Sequence, residues 1–342
     1  MNTLLPLSSS ILCLVFAALV FDQWRQRRHP FQLAWTVGLV FYGVSAGTEF
    51  AGSAFGWTEP LYRAWYLVGA FYVAAYLGLG TVYLLAKTAF GYFAGFTVLL
   101  GGLLCLAFSR VYPGSGRVGL VAFGIALAGG LAIVIATAVR RPWAPHLLLA
   151  VLVIGSLAVA QLVLTAPLAG PGWALDPRTH VPVGSAFPGY VRVLTAPFNI
   201  AGALCLVFGA AYSAYVYMPK RKLLSVGRVS TPVLAQVWHF LAVAVNFVSS
   251  LPGALRALFA GRLNSRVPAT ILIALGGFIP GLTSGLNRFG ITWTFYLGEL
   301  LGVAFILAGF LVSEEVFSNL RLPARGEVWR RRPIPDEANA AG

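Results

Sequence analysis

Nine stretches of the chain are almost uninterrupted apolar runs, each of about 20 residues, the length that crosses about 30 Å of hydrocarbon at about 1.5 Å per residue. They fall at roughly 4–21, 31–51, 62–85, 89–108, 118–139, 146–167, 191–217, 269–287 and 291–313. A backbone in hydrocarbon has no water to bond, so each run is read as a helix that satisfies its own N–H and C=O groups. Most connections are short, which predicts antiparallel packing of sequence neighbours. The predicted fold is all-α, a polytopic transmembrane helix bundle of about nine spans.

Two regions break the pattern. Residues 169–190 are rich in Pro and Gly, carry Trp173, Asp176, Arg178 and His180, and read as a lid or a plain loop. Residues 232–251 are nearly apolar enough to span but contain Gln236, His239 and Asn246. Lys and Arg decide this second case, because cytoplasmic loops of inserted proteins hold the excess of positive residues. If 232–251 does not cross, 18 of the 24 Lys and Arg residues share one side and 6 the other; if it crosses, the split becomes 11 to 13. The bias survives only without the crossing. The segment is therefore read as re-entrant or in-plane, followed by an amphipathic helix near Leu255, Leu258, Phe259 and Leu263, with Arg256 and Arg262 facing phosphates.

The organisation that follows is seven helices, an interfacial elbow and two more helices. A seven-helix bundle occupies 1–217, a cytoplasmic re-entrant or in-plane amphipathic segment 218–268, a transmembrane hairpin 269–317 and a mobile basic cytoplasmic tail 318–342. The amino terminus lies outside and the carboxyl terminus inside. Residues 1–10 lack the basic region of a secretory signal, and three arginines follow the first apolar run, so a retained first helix is expected.

Composition agrees. Of 342 residues, 58% are hydrophobic and only 10% charged, with a mean hydropathy of +0.81. Such a balance excludes an ordinary soluble domain. The net charge of +14 would suggest nucleic acid in a soluble protein. Here the loop bias accounts for it, and the attraction is to anionic lipid. Cys13, Cys105 and Cys205 sit in separate apolar runs and read as small hydrophobes.

Polar groups inside the runs are the candidates for chemistry. Glu299 lies about 12 Å into the last run, near the bilayer middle, where an acidic group costs about 2.5 to 3.5 kcal/mol and faces a partner, a cavity or a proton path. The preceding run carries Gly277, Gly281 and Gly285 on one face around Pro280. Residues 276–287 read as an interrupted helix that either packs closely or frees backbone groups for a ligand. Asn287, Arg288 and Asn199 extend the ligand or proton candidates. Tyr62, Tyr66, Tyr72, Tyr76 and Tyr83 recur at near-helical spacing in the third run; Tyr72 and Tyr76 are pocket candidates, with helix packing as the alternative. Glu49, Glu59, Arg63 and Arg192 form an expected outer polar cluster at helix ends.

Other chemistries find no support. No two histidines occupy mid-span positions suited to haem, metal ligands do not cluster, no lysine sits mid-helix for a Schiff base, and there is no GxxxxGK[ST] loop. No cofactor and no metal are predicted.

Residues 61–85, LYRAWYLVGAFYVAAYLGLGTVYLL, and the last two runs, ILIALGGFIPGLTSGLNRFG and FYLGELLGVAFILAGFLVS, resemble uncharacterised multi-pass membrane proteins of bacteria. The resemblance covers about a third of the chain. It implies the bacterial inner membrane and assigns no activity.

Three function classes follow. The first is a non-catalytic sensor or accessory module that binds lipid, an apolar ligand or partner helices, with membrane lipids and either a membrane-protein partner or a second copy as its partners. The second is a secondary transporter with an ion or proton site at Glu299 and the helix near Pro280. The third, an enzyme of lipids or isoprenoids, would need Glu49, Glu59, Arg63, Asp176, Arg178 and His180 to converge on one cleft.

Overall fold

The computed structural model describes residues 2–139, 142–224, 232–260, 263–264, 266–288, 291 and 294–312; of 232–240 and of Arg288 only the backbone is described, Trp238 excepted. Ten helices account for most of it: α1 Leu4–Arg27, α2 Pro30–Phe55, α3 Glu59–Leu84, α4 Phe90–Ser109, α5 Gly116–Ala138, α6 Ala144–Thr165, α7 Gly189–Tyr217, α8 Pro232–Phe259, α9 Arg266–Arg288 and α10 Phe295–Val312. Among the described residues there is no strand, and the one isolated bridge joins Leu175 to Pro182. The all-α helical bundle read from the apolar runs is the fold observed. The expected tail, 318–342, lies outside the described residues.

Helix limits follow local chemistry. α1 stops at Arg28, which takes a left-handed backbone conformation with φ at 57°. Arg28 donates its N–H to the Trp24 carbonyl, closing the last turn, and lays its guanidinium over the Trp24 ring. Pro30 then opens α2, where its missing N–H costs no helical bond. Two helices each contain one π turn, Val68–Tyr72 in α3 and Ala196–Ile200 in α7. In α7 the cause is visible: Pro197 has no amide to donate back.

Nine described helices are long and apolar enough to cross a membrane, but the set differs from the sequence expectation by one exchange. Leu241–Phe259 of α8 qualifies, whereas α2 does not. The reason lies in where α2 points. Its buried positions include Gln32, Thr36, Ser45 and Glu49, which face other helices and lower its average hydropathy. Its 26 residues still suffice for a crossing.

α8 does not lie alongside α7. Asn246, in its middle, accepts at Oδ1 from the amides of Leu223 (2.7 Å) and Leu224 (3.0 Å) and donates from Nδ2 to the Leu224 carbonyl (2.9 Å). Ser250 Oγ accepts from the Arg221 amide, and Ser249 Oγ donates to the Arg221 carbonyl. Ala254 and Val267 pack with Ala214 and Met218, and Arg266 Nη1 donates to Tyr217 Oη. Asn246, Ser250, Ala254, Arg266 and Val267 thus gather about the end of α7 and the few residues after it. A helix antiparallel to α7 would bring only one end there.

The remaining helices pack as hairpins. α1 pairs with α2, α4 with α5 and α9 with α10; α2, α3, α7 and α9 join in sequence, and α10 returns to α1. Glycine sets the closest approaches. A β-carbon on Gly78 of α3 would strike the Gly202 carbonyl of α7, and one on Gly202 would strike Ala74. In the α9–α10 hairpin the contacts are Gly276 with Gly302 and Pro280 with Gly302.

Those contacts correct the expected interruption at 276–287. α9 is one continuous helix through Pro280. The Gly276 carbonyl, whose amide partner Pro280 lacks, abuts Gly302. Nor do Gly277, Gly281 and Gly285 form one packing face. Gly277 meets Leu206, whereas β-carbons on Gly281 and Gly285 would find nothing within 4 Å.

Candidate functional site

That empty space beside Gly281 and Gly285 belongs to a cavity of about 870 Å³ walled by α2, α3, α7, α9 and α10. α7 and α9 touch where Gly277 meets Leu206, but Asn199 and Ala203 on α7 and Gly281, Ser284 and Gly285 on α9 face the cavity. The two helices diverge toward the α7 amino terminus. At the other end Leu77, Leu206 and Ile306 belong both to the cavity wall and to an apolar core with Phe16, Leu39 and Phe310, which closes the space.

The roof comes from the α6–α7 connection. Pro182–Ser185 line the cavity from above. Their segment is a folded cap: the Asp176 carboxylate accepts from the amides of Arg178 and Thr179 and from the Thr179 hydroxyl, and Val183 donates its amide to Ala174. Tyr62 of α3 donates its hydroxyl to the Val183 carbonyl, Tyr66 stacks on Phe187 at 4.3 Å, and Val181 packs on Phe295 and Tyr296. The Pro/Gly-rich stretch is therefore a packed lid over the site.

Two carboxyl groups meet in the wall. Glu49 of α2 is fully buried and its Oε1 accepts from Trp65 Nε1 of α3 at 2.7 Å. Its neighbour is Glu299 of α10, within hydrogen-bonding reach of the Glu49 carboxyl. Tyr42, two turns before Glu49 on the same face of α2, donates its hydroxyl to the Glu299 backbone carbonyl at 2.9 Å and holds α10 to α2. Oε2 of Glu49, Oε2 of Glu299 and Oδ1 of Asn287 are buried and receive no hydrogen bond from any described donor. Two facing carboxylates only accept, so a bond between them requires a proton on one.

The structure moves Glu299 from its expected depth. α10 begins at Phe295 and α2 ends at Phe55. Glu299 therefore lies about 6 Å from the start of α10 and Glu49 about 9 Å from the end of α2, at the helical rise of about 1.5 Å per residue. The pair sits in the lid-side third of the bundle, not at its middle. Pro280, Gly281, Asn287 and Asn199 all line the same cavity as Glu299, whereas the Arg288 side chain lies outside the described residues.

Tyr72 and Tyr76 point elsewhere. Tyr72 donates to the Ser156 carbonyl at 2.9 Å and Tyr76 meets Ser156 Oγ at 3.4 Å, which ties α3 to α6. A stripe drawn at α-helical spacing misses this because the π turn inserts a residue between Tyr66 and Tyr72. The expected outer cluster also separates. Glu59 and Arg63 pair at 2.6 Å, Glu59 exposed and Arg63 largely covered, and Arg63 donates to the Val163 and Ala166 carbonyls at the end of α6. Arg192 lines the cavity and stacks on the Tyr112 ring at 4.7 Å, while Glu49 is deep in the acidic pair. Glu59, Arg63, Asp176, Arg178 and His180 do not line the cavity, so the convergence an enzyme reading required is not seen there.

Trp65, Tyr42 and Ser45 were not anticipated. The signal was present: Tyr42, Ser45 and Glu49 are spaced by three and four and share one face of α2, as do Phe295, Glu299, Gly302 and Ile306 on α10. Among the described residues no group of three or more His, Cys, Asp or Glu is placed to hold a metal ion. Comparison with known proteins finds no match to this chain among protein-family models, curated proteins or solved structures.

Proposed function

We propose that the chain is a non-catalytic membrane module, a sensor or accessory subunit, that holds a small, largely apolar molecule in the cavity under its lid. One observation carries this reading. The space of about 870 Å³ mixes apolar walls with a few convergent polar groups and is shut at its inner end by the Leu77, Leu206 and Ile306 core. Its size and lining are those of ligand sites. A closed inner end suits retention better than passage. The divergence of α7 and α9 leaves a side of the cavity from which a lipid-like molecule can enter.

The reading is tested with protein in lipid nanodiscs and a decanol carrying a terminal trifluoromethyl group, followed by fluorine NMR. The wild type is expected to give a protein-bound resonance that empty nanodiscs lack. Gly281→Phe, which places a ring where a β-carbon meets nothing, is expected to remove it. A wild type without a bound resonance, or a Gly281→Phe variant that keeps it, rejects the cavity as the binding site.

We further propose that the module lies in the bacterial inner membrane with its amino terminus outside, its lid on the outer side and α8 at the cytoplasmic interface. The 18 to 6 distribution of Lys and Arg supports this. So does the gathering of Asn246, Ala254 and Val267 round the end of α7. The three native cysteines are buried, so Lys220→Cys supplies a single accessible thiol. It is expected to react with an impermeant maleimide in inverted vesicles and to stay unmodified in intact spheroplasts; the reverse pattern inverts the topology.

A further inference from the structure

We propose that the acidic pair is the head-group subsite of this cavity and that it selects an organic cation, a protonated amine on an apolar body. The inference rests on the cavity being a binding site and adds the charge of its occupant. Its first support is the balance of donors and acceptors. Glu49 is 0% exposed, lines the cavity and has an Oε2 with no donor; the buried Oε2 of Glu299 and Oδ1 of Asn287, from two further helices, are in the same condition. Acceptors from three helices thus stand in the wall of one cavity, and the acidic pair, with one proton shared between its two carboxyl groups, keeps a negative charge there. Buried acceptors left in this state are costly, and a molecule carrying several N–H donors and a positive charge satisfies them.

The second support is the surroundings. Trp65, whose indole N–H is spent on Glu49 Oε1, and Tyr66 line the cavity. Aromatic faces attract cations. A small metal ion requires a compact shell of oxygens. This space is far larger than such a shell and continues along apolar and glycine walls, which fits a cationic head with a hydrocarbon body. Arg192 is the one described cation of the wall, and its guanidinium is stacked on the Tyr112 ring and not paired with the acidic groups. An anionic head would meet the pair as a like charge.

The same nanodisc assay separates this inference from the one beneath it. Decylammonium, with a terminal trifluoromethyl group, is expected to bind the wild type at least about tenfold more tightly than the matching decanol, and decyl sulfate more weakly than both. The double substitution of Glu49→Gln with Glu299→Gln keeps the size of each side chain and removes the negative charge of the pair, which either substitution alone would leave on the other carboxylate. The double variant is expected to erase the preference for decylammonium over decanol while decanol binding stays within about twofold, which also reports that the variant is folded. Equal binding of decylammonium and decanol to the wild type, or a preference that survives both substitutions, overturns the cation subsite and leaves the cavity reading intact. Failure of every probe to bind overturns both.

Discussion

Gly202→Val is expected to destabilise the protein by about 1–3 kcal/mol or more. Its first added atom would overlap the carbonyl group of Ala74 and approach the amide of Ala75, both backbone atoms of α3. A flexible side chain can step aside, but a helix backbone moves only with the helix. The same closeness is repeated from the other side, where a β-carbon on Gly78 would strike the Gly202 carbonyl. Separating α3 from α7 pulls on two walls of the cavity together, so ligand binding should fall with stability. Thermal unfolding in detergent measures it, with Gly281→Ala as the contrast. That substitution meets open space. It gains helix propensity, so it should be neutral or stabilising by up to about 1 kcal/mol. Equal melting shifts for the two would show that the α3–α7 contact does not bear the packing assigned to it.

Asn246→Ala should release the segment that follows α7. The single side chain of Asn246 satisfies the amides of Leu223 and Leu224 and the carbonyl of Leu224, three backbone groups that no helix or sheet serves. Losing a partner of this kind costs about 1–3 kcal/mol for each buried group, less where water can reach it. Hydrogen exchange at Leu223 and Leu224 should accelerate on the order of tenfold or more, and trypsin should cut more readily after Lys220, Arg221 and Lys222. The effect should stay local, because α8 packs on the far end of α7 and none of its described side chains lines the cavity. Unchanged exchange at those two amides would mean that α8 is held by other contacts.

The helical architecture was legible because each apolar run must satisfy its own backbone, whatever its neighbours do. Departures from that reading came where neighbours matter. α2 looks less like a membrane helix than α8 does, since Ser45 and Glu49 face other helices and not lipid. Glu299 is recognisable in the sequence as a buried acid, but its partner Glu49 lies near the end of the second apolar run, where position alone groups it with the polar residues at helix ends. Only the return of α10 to the α1–α2 side brings them together. The three-and-four spacing of Tyr42, Ser45 and Glu49 was a local clue to an inward polar face. What that face would meet was a matter of tertiary packing.

The two π turns carry a consequence for how the molecule can vary. One residue of an α-helix turns through about 100°. The extra residue at Val68–Tyr72 therefore sets the angular phase of Trp65 and Tyr66 independently of Leu77 and Gly78. The turn at Ala196–Ile200 does the same for Arg192 relative to Gly202 and Leu206. In these two helices the lid-side turns and the turns beneath them thereby have separate rotational settings. The turns beneath are locked by glycine contacts, and the lid-side turns, which bring Trp65, Tyr66 and Arg192 to the cavity wall, can be re-aimed by a one-residue insertion or deletion without disturbing the seam below.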